Sequence, residues 1–284
     1  LADGSVMTLG GSWSGVIAGG KSAEIYTPAT GWRVLTGVPY DPYLLNGTYN
    51  GWQTDAHAAI IPTGNGRVLM AGPSPEMAWI DTRGNGSSTP AGRRGDDQPS
   101  LGGPVVMYEA GKILKVGGAT WNGNVPATAG AYLIDTTGAT AAVKKLAPMA
   151  YPRMYANSVA LPNGQVLVVG GQTYVQEFSD SNAVLAPELW DPETETFTVL
   201  PAMAVARNYH SLAMLLPDGR VMSAGGGLCG CAADKPNLQI MSPPYLFNRD
   251  GTPAARPVIT AAPATVGYGT ATTVTTDGPV AAFS

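Results

Sequence analysis

The chain has 284 residues, of which 37 are glycine and 24 are proline, while only 13% are charged. This balance favours short strands joined by tight turns over long amphipathic helices, so we expect an all-β fold. The net charge of −4, without Lys/Arg clusters among aromatic residues, argues against a nucleic-acid partner, and no apolar run approaches the roughly 20 residues that span a bilayer.

Five segments along the chain share one pattern, in which a turn that contains glycine is followed by alternating apolar residues and then by small residues. Asn-Gly and Asp-Gly turns match the twist of paired strands, so each segment predicts a hairpin turn followed by a strand. The segments recur at intervals of roughly 45 to 60 residues, a period typical of propeller blades. They are residues 1–12, 63–74, 109–120, 161–172 and 216–227.

Two further features complete the predicted blade. Most segments end in a glycine pair, which lets backbones approach where side chains would collide, although the second has Gly72-Pro73 instead. Most are followed by a second strand with an aromatic residue and a turn, at residues 23–32, 131–138 and 187–197. The repeat therefore resembles a kelch motif and predicts a β-propeller of four-stranded blades. Seven blades are expected, of which this chain covers about five, the first beginning halfway.

The sequence changes character after about residue 250. Alternating threonine and valine replace the glycine repeats and resemble the opening strands of an immunoglobulin-like sandwich. We expect a kelch propeller over residues 1–250 that lacks its N-terminal blades, followed over residues 251–284 by the beginning of a truncated sandwich domain.

Tyr209 and His210 stand side by side at the start of a predicted strand. Imidazole nitrogen and phenolate oxygen together suit Cu(II). Adjacent strand residues point to opposite faces, so both could reach one metal only where the strand bends or ends. The residues alone favour the alternative, in which Tyr209 packs in a blade and His210 bonds a loop. His57, beside Asp55, is assigned a structural role.

Other chemistry-bearing residues give weaker signals. Trp13 follows a glycine pair and is either a hydrophobic plug or a stacking surface. The neighbouring carboxylates Asp96 and Asp97 are predicted to be solvated. Cys229 and Cys231 are too few for a disulfide-stapled miniprotein and too isolated for a structural zinc site.

The run RNYHSLAMLLPDGRVMSAGGGLCG, residues 207–230, resembles the copper-radical oxidases, whose branches include galactose oxidase and glyoxal oxidase. Similar stretches recur in the family's order at residues 1–15, 70–79, 103–118 and 238–259. The resemblance implies a secreted, monomeric enzyme that oxidises a primary alcohol, such as a galactose-type sugar, or an aldehyde. It also implies a copper ion and reduction of O2 to H2O2.

The resemblance implies roles for individual residues of the metal site. Tyr209 is similar to the axial copper tyrosine, which accepts the hydroxyl proton of the substrate, and His210 is similar to an equatorial copper ligand. Trp13 resembles the indole that stacks over the radical cofactor. Cys229 and Cys231 take the place of the family's disulfide, with one residue between them where the family has two.

The resemblance also implies a substrate pocket that includes Gln172, Trp52 and Gln53. Gln53 stands where galactose oxidase has an arginine, and glutamine lacks the charge and forked donors of guanidinium. This difference favours a primary alcohol other than galactose, or an aldehyde hydrate.

The family's cofactor is a cysteinyl-tyrosyl radical. Its two residues and the second copper histidine correspond to positions outside this chain, so we expect the chain to be an inactive fragment of an oxidase. The competing hypothesis is a kelch-propeller module that binds carbohydrate or protein without catalysis.

Overall fold

The computed structural model describes residues 1–10, 21–40, 58–63, 67–267 and 269–280. Four residues singled out above, Trp13, Trp52, Gln53 and His57, lie outside these ranges. The described residues form strands and one 3-10 turn at Pro244–Leu246, without an α-helix, which confirms the all-β prediction. They include no helix of the length and apolarity that a membrane span needs.

Twenty strands form six antiparallel sheets in the described ranges, and the first five sheets are called blades 1 to 5 here. Blade 1 contains β1 (Val6–Thr8), β2 (Ser22–Thr27) and β3 (Gly31–Pro39). Blade 2 contains β4 (Ala59–Pro62), β5 (Arg67–Gly72), β6 (Glu76–Asp81) and β7 (Ser87–Arg93). Blade 3 contains β8 (Val105–Glu109), β9 (Lys112–Val116), β10 (Ala131–Asp135) and β11 (Ala142–Lys145). Blade 4 contains β12 (Asn157–Ala160), β13 (Val166–Val169), β14 (Glu188–Asp191) and β15 (Thr196–Val199). Blade 5 contains β16 (Ser211–Leu215), β17 (Val221–Gly225) and β18 (Leu238–Met241), and the sixth sheet contains β19 (Ile259–Ala261) and β20 (Thr275–Thr276).

Each blade contains one of the five repeat segments, which supply β1, β5, β9, β13 and β17. Blades 2 to 4 have four strands in meander order, as the repeat predicts. The first strands β4, β8, β12 and β16 lie next to one another. This is the arrangement of a propeller, in which the first strand of each blade faces the central axis.

The cores lie between the blades. Along β13, Val166 and Val168 pack against blade 3, whereas Leu167 and Val169 pack against blade 5. Because both faces of β13 are covered, its sequence VLVV is continuously apolar instead of alternating. Burial of each such side chain contributes about 1.5–3 kcal/mol.

The glycine pairs permit close contact between neighbouring blades. A Cβ added to Gly170 would lie 2.1 Å from the carbonyl oxygen of Arg207, and one added to Gly117 would lie 2.4 Å from that of Arg153. Both glycines have positive φ, 72° and 59°. The predicted role of the pairs in backbone packing is confirmed.

A buried arginine lies four residues before the first strand of blade 4 and of blade 5. The carbonyl oxygen of Arg153 accepts a hydrogen bond from Gly118 in blade 3, and its guanidinium donates to the carbonyl oxygen of Gly170 in blade 4. Arg207 repeats this pattern, accepting from the backbone of Gly171 and donating to Gly225. Each arginine therefore joins two successive blades.

Two sheet faces carry exposed apolar side chains. On blade 5, the face turned away from blade 4 presents Leu212, Met214, Leu238 and Ile240, which are 39–56% exposed. On blade 1, the exposed apolar side chains are Val6, Tyr26, Trp32 and Val34. No described sheet covers either face. The sixth sheet is also exposed, and its assignment to a sandwich domain stays a prediction.

Candidate functional site

A cavity of about 490 Å³ lies where the first strands of blades 2 to 5 meet. Small residues such as Ala59 of β4, Ser158 of β12 and Ser211 of β16 form part of its wall. Several larger side chains with polar or aromatic groups also line it. These are Trp121, Asn122, Tyr155, Glu177, Asn208, Tyr209 and His210.

Tyr209 and His210 form a turn that ends one residue before β16 begins, so the prediction that they lie in the strand is wrong. The amide of Ser211 donates to the carbonyl oxygen of Asn208 at 2.9 Å, and His210 has a φ of 65°. This positive φ removes the alternation that would send the side chains to opposite faces. The two rings are stacked with their centroids 3.8 Å apart and an interplanar angle of 28°, and both line the cavity.

The turn is secured by Gly227, which follows β17. Its amide donates to the carbonyl oxygen of Tyr209 at 2.9 Å, and its own carbonyl oxygen lies 2.5 Å from Nδ1 of His210. A carbonyl oxygen only accepts, so Nδ1 carries the proton of the neutral imidazole and Nε2 keeps a lone pair. His210 can therefore offer Nε2 to a metal.

Aromatic rings surround the Tyr209 side chain. The Tyr155 ring lies 4.9 Å from it, and Phe178 makes an edge contact at 5.1 Å. Phe178 also contacts the ring of His210, at 5.8 Å. Such pairs contribute about 0.5–1.5 kcal/mol each beyond their area, so they limit rotation of both side chains.

Tyr155 also carries a polar contact in the cavity. Its hydroxyl donates to the carbonyl oxygen of Asn122 at 2.8 Å, and Oε1 of Glu177 lies 3.4 Å away. Burial, and then the negative charge of Glu177, raise the pKa of Tyr155. The phenol therefore remains protonated and acts as a hydrogen-bond donor.

Three charged groups are buried beside the cavity. Oδ2 of Asp97 lies 2.9 Å from both Nε of Arg94 and Nζ of Lys115, and all three side chains are at most 4% exposed. Burial lowers the pKa of Lys115 to about 8. The prediction that Asp97 is solvated is therefore wrong, whereas Asp96 is exposed as expected.

Gln172 is fully buried, and the described residues that line the cavity do not include it. Its Oε1 accepts the amide of Gln176 at 3.0 Å, and its Nε2 donates to the carbonyl oxygen of Ser179 at 2.6 Å. These bonds hold the loop that carries Glu177 and Phe178. These contacts are all within the protein, and the place of Gln172 in a substrate pocket stays a prediction.

The structure joins Cys229 and Cys231 in a disulfide, with their Cα atoms 5.2 Å apart. Sγ of Cys231 lies 3.8 Å from the carbonyl oxygen of Phe178, so the bridge is close to the aromatic residues around Tyr209. The predicted roles of Trp13, Trp52 and Gln53 remain predictions, since these residues lie outside the described ranges.

Most residues of the cavity wall were not identified from the sequence. Tyr155 had a detectable signal, because Arg153-Met-Tyr155 repeats the spacing of Arg207-Asn-Tyr209. Glu177 lies in a loop without a recognisable pattern, and only the fold brings it into the cavity.

The side chains that line the cavity include an oxygen and a nitrogen donor of the types that bind copper. Among the residues that the structure describes, the one group of three histidine, cysteine or acidic side chains close enough to share a metal is Cys229, Cys231 and Asp234, and its cysteines are bonded to each other. Tyr209 and His210 instead offer one oxygen and one nitrogen, a combination that suits Cu(II).

This chain is similar to several known oxidases. The family model of the glyoxal oxidase N-terminus matches residues 116–229. A galactose oxidase of Gibberella zeae is 36% identical over all of this chain, which covers 43% of that protein. An aldehyde oxidase of Vitis pseudoreticulata is 27% identical over 95% of this chain and is 53% covered.

Solved structures extend the comparison to the fold. A fungal alcohol oxidase of the AA5 family, solved in complex with copper, superposes with a TM-score of 0.89 and 42% identity. That match covers 98% of this chain and 58% of the alcohol oxidase. The chain thus spans less than half the length of the galactose oxidase and little more than half of the alcohol oxidase.

Proposed function

We propose, from the premise that this chain is related along its whole length to the copper-radical oxidases, that it supplies Tyr209 and His210 to the copper site of an alcohol oxidase. The enzyme would oxidise a primary alcohol to an aldehyde and reduce O2 to H2O2. The observation that carries the proposal is the convergence of these two side chains on one cavity, with Nδ1 of His210 bonded to a carbonyl oxygen and Nε2 left as the available donor.

A second observation supports a polar ligand in the cavity. Oδ1 of Asn208 is buried and has no hydrogen-bond partner among the described residues, while its Nδ2 donates to the carbonyl oxygen of Ser179. A buried acceptor without a partner costs about 1–3 kcal/mol. A hydroxyl group or water in the adjoining cavity would satisfy it.

Tyr209 and His210 would hold the copper ion. When bound, copper would supply one-electron redox chemistry, and a protein radical would supply the second electron change that oxidation of the alcohol needs. The phenolate oxygen of Tyr209 would accept the hydroxyl proton of the substrate. Tyr155 and Phe178 pack against the Tyr209 ring and hold it in one orientation. Such positioning lowers the entropy cost of the proton transfer.

The cavity favours a small alcohol that carries further polar groups. A volume of about 490 Å³ is within the range of small-molecule sites. The Trp121 ring would pack against the carbon skeleton of the substrate, and Asn122 and Glu177 would bond its other hydroxyl groups. An exposed disulfide is typical of oxidising compartments and supports a secreted protein.

The test measures Cu(II) binding by this chain with calorimetry and electron paramagnetic resonance. It measures H2O2 release from primary alcohols with the longer protein that also carries the radical residues and the second copper histidine. Tyr209→Phe and His210→Ala should each weaken copper binding and abolish H2O2 release. Tyr174→Phe is the matched control, because the Tyr174 hydroxyl bonds the Asn124 backbone and the residue does not line the cavity. A wild-type protein that neither binds Cu(II) nor releases H2O2 would contradict the proposal and favour a non-catalytic binding module.

A further inference from the structure

The loop from Gly227 to Asp234 lies directly against the turn that carries Tyr209 and His210. Gly227 contacts this turn through both of its backbone groups, since its amide donates to Tyr209 and its carbonyl oxygen accepts from Nδ1 of His210. The position of one peptide group in this loop therefore decides which nitrogen of His210 carries the proton.

A single carboxylate organises the loop. Oδ1 of Asp234 accepts the amides of Leu228 and Cys229 at 2.5 and 2.8 Å, and Oδ2 accepts the amide of Gly230 at 2.8 Å. These bonds lower the pKa of Asp234, and the bond from the Cys229 amide has the largest effect. The carboxylate is therefore charged at neutral pH. Three successive amides directed at one anion form a compact backbone arrangement that begins immediately after Gly227.

The carboxylate also fits closely against Gly227. A Cβ added to Gly227 would lie 2.3 Å from Oδ1 of Asp234, and its φ of 83° disfavours any other residue. The disulfide between Cys229 and Cys231 closes the same loop. The disulfide thus constrains residues 229–231, and the charge of Asp234 holds the three amides that directly follow Gly227.

We infer that Asp234 is a positioning residue for the copper ligand His210, acting through the Gly227 carbonyl oxygen. Without the Asp234 acceptors, the amides of Leu228, Cys229 and Gly230 turn towards water and Gly227 loses its fixed orientation. His210 then loses the bond that keeps its proton on Nδ1. The inference rests on the proposed function for its consequence, since Nε2 is the atom offered to copper. Outer partners of ligand histidines typically change metal affinity 10–100-fold.

The test reads the tautomer of His210 in metal-free protein by ¹⁵N nuclear magnetic resonance of labelled histidine. The chain has two histidines, so the variant His57→Gln assigns both signals. In the wild type at pH 8, Nδ1 of His210 should be protonated. Asp234→Ala should move a large part of the population to the form with the proton on Nε2, and Asp234→Asn, which keeps one acceptor oxygen, should have a smaller effect.

Asp250→Ala is the matched control, because Asp250 also accepts a backbone amide in an exposed turn, at Thr252, in a different loop. It should leave the His210 tautomer unchanged. Circular dichroism identifies a variant that fails to fold, and Asp234→Asn then provides the measurement. An unchanged tautomer in every folded Asp234 variant would overturn the inference.

Titration with Cu(II) alone separates this inference from the proposed function. Asp234→Ala should bind Cu(II) 10–100-fold more weakly than the wild type and than Asp250→Ala. A tautomer that changes in a protein whose wild type binds no Cu(II) would support the positioning of His210 and overturn its metal role. Equal Cu(II) affinity of Asp234→Ala and wild type would overturn the positioning of a copper ligand.

Discussion

The two blade-joining arginines allow a sharp test of how buried charge stabilises this propeller. Arg153 and Glu188 are both fully buried, and Nη2 of the arginine lies 2.8 Å from Oε1 of the carboxylate. Glu188 also accepts the amides of Ala150 and Tyr151, at 2.7 and 3.2 Å. Arg153→Met would leave this carboxylate in the interior with two backbone donors and no counter-charge. Breaking a buried pair in this way costs about 3–5 kcal/mol.

Arg207 occupies the corresponding position one blade later but has no carboxylate partner among the described residues. Its guanidinium donates to the carbonyl oxygen of Gly225 at 3.0 Å and to Oδ1 of Asn237 at 2.7 Å. Arg207→Met leaves neutral acceptors unbonded, which costs about 1–3 kcal/mol. Arg153→Met is therefore expected to be the more destabilising change, by about 2 kcal/mol.

Urea unfolding of the two variants and the wild type measures this difference, with equal m-values required for the comparison. Lys144→Met is the control for an exposed pair, because Lys144 and Glu195 are 62% and 34% exposed, and it should cost at most about 1 kcal/mol. If Arg207→Met destabilises the protein as much as Arg153→Met, both arginines act through packing and contact between blades. That result would refute the claim that a buried Glu188 without a counter-charge causes the larger loss of stability.

Two further changes test the cavity wall. Burial lowers the pKa of Lys115 from 10.5 to about 8. Between these pH values Lys115 is more protonated in the unfolded chain than in the folded chain. The contribution of Lys115 to the free energy of unfolding therefore rises as the pH rises from 8 to 10.5. The difference in urea midpoint, wild type minus Lys115→Met, should therefore increase from pH 8 to pH 10, and a decrease would contradict the burial argument. Tyr155→Phe removes the bond to Asn122 but keeps the ring against Tyr209, so it should cost about 1 kcal/mol in urea unfolding and leave Cu(II) affinity unchanged in calorimetry. A large loss of Cu(II) affinity in Tyr155→Phe would show that the hydroxyl, and not the ring, supports Tyr209.

The blades were predictable because their signals are local. A turn such as Asn163-Gly164 specifies a hairpin through neighbouring residues alone. The period of the repeat places five such hairpins at similar intervals along the chain. The continuous apolar run of β13 follows from its position between two blades, which the period also implies.

The geometry of the site was less predictable, for two physical reasons. The positive φ of His210 depends on contacts with Gly227, which is 17 residues away, and histidine itself does not signal such a conformation. The burial of Asp97 depends on Lys115 of the neighbouring blade, so a sequence that shows two adjacent carboxylates gives no indication of it. Gln172 was assigned to the substrate through family resemblance, whereas its loop contacts are visible only in the fold.

The turns at residues 153–156 and 207–210 both begin with an arginine that bonds two blades, so stability and chemistry depend on different residues of each turn. In Arg153-Met-Tyr155-Ala156 and Arg207-Asn-Tyr209-His210, the first residue joins the blades and the last differs between a methyl group and an imidazole. The bonds between the blades are made by the arginine and by backbone groups, so the side chain at the final position of the turn takes no part in them. The turn can therefore carry a different side chain at this position, such as the imidazole proposed above to bind copper, and keep the bonds between the blades.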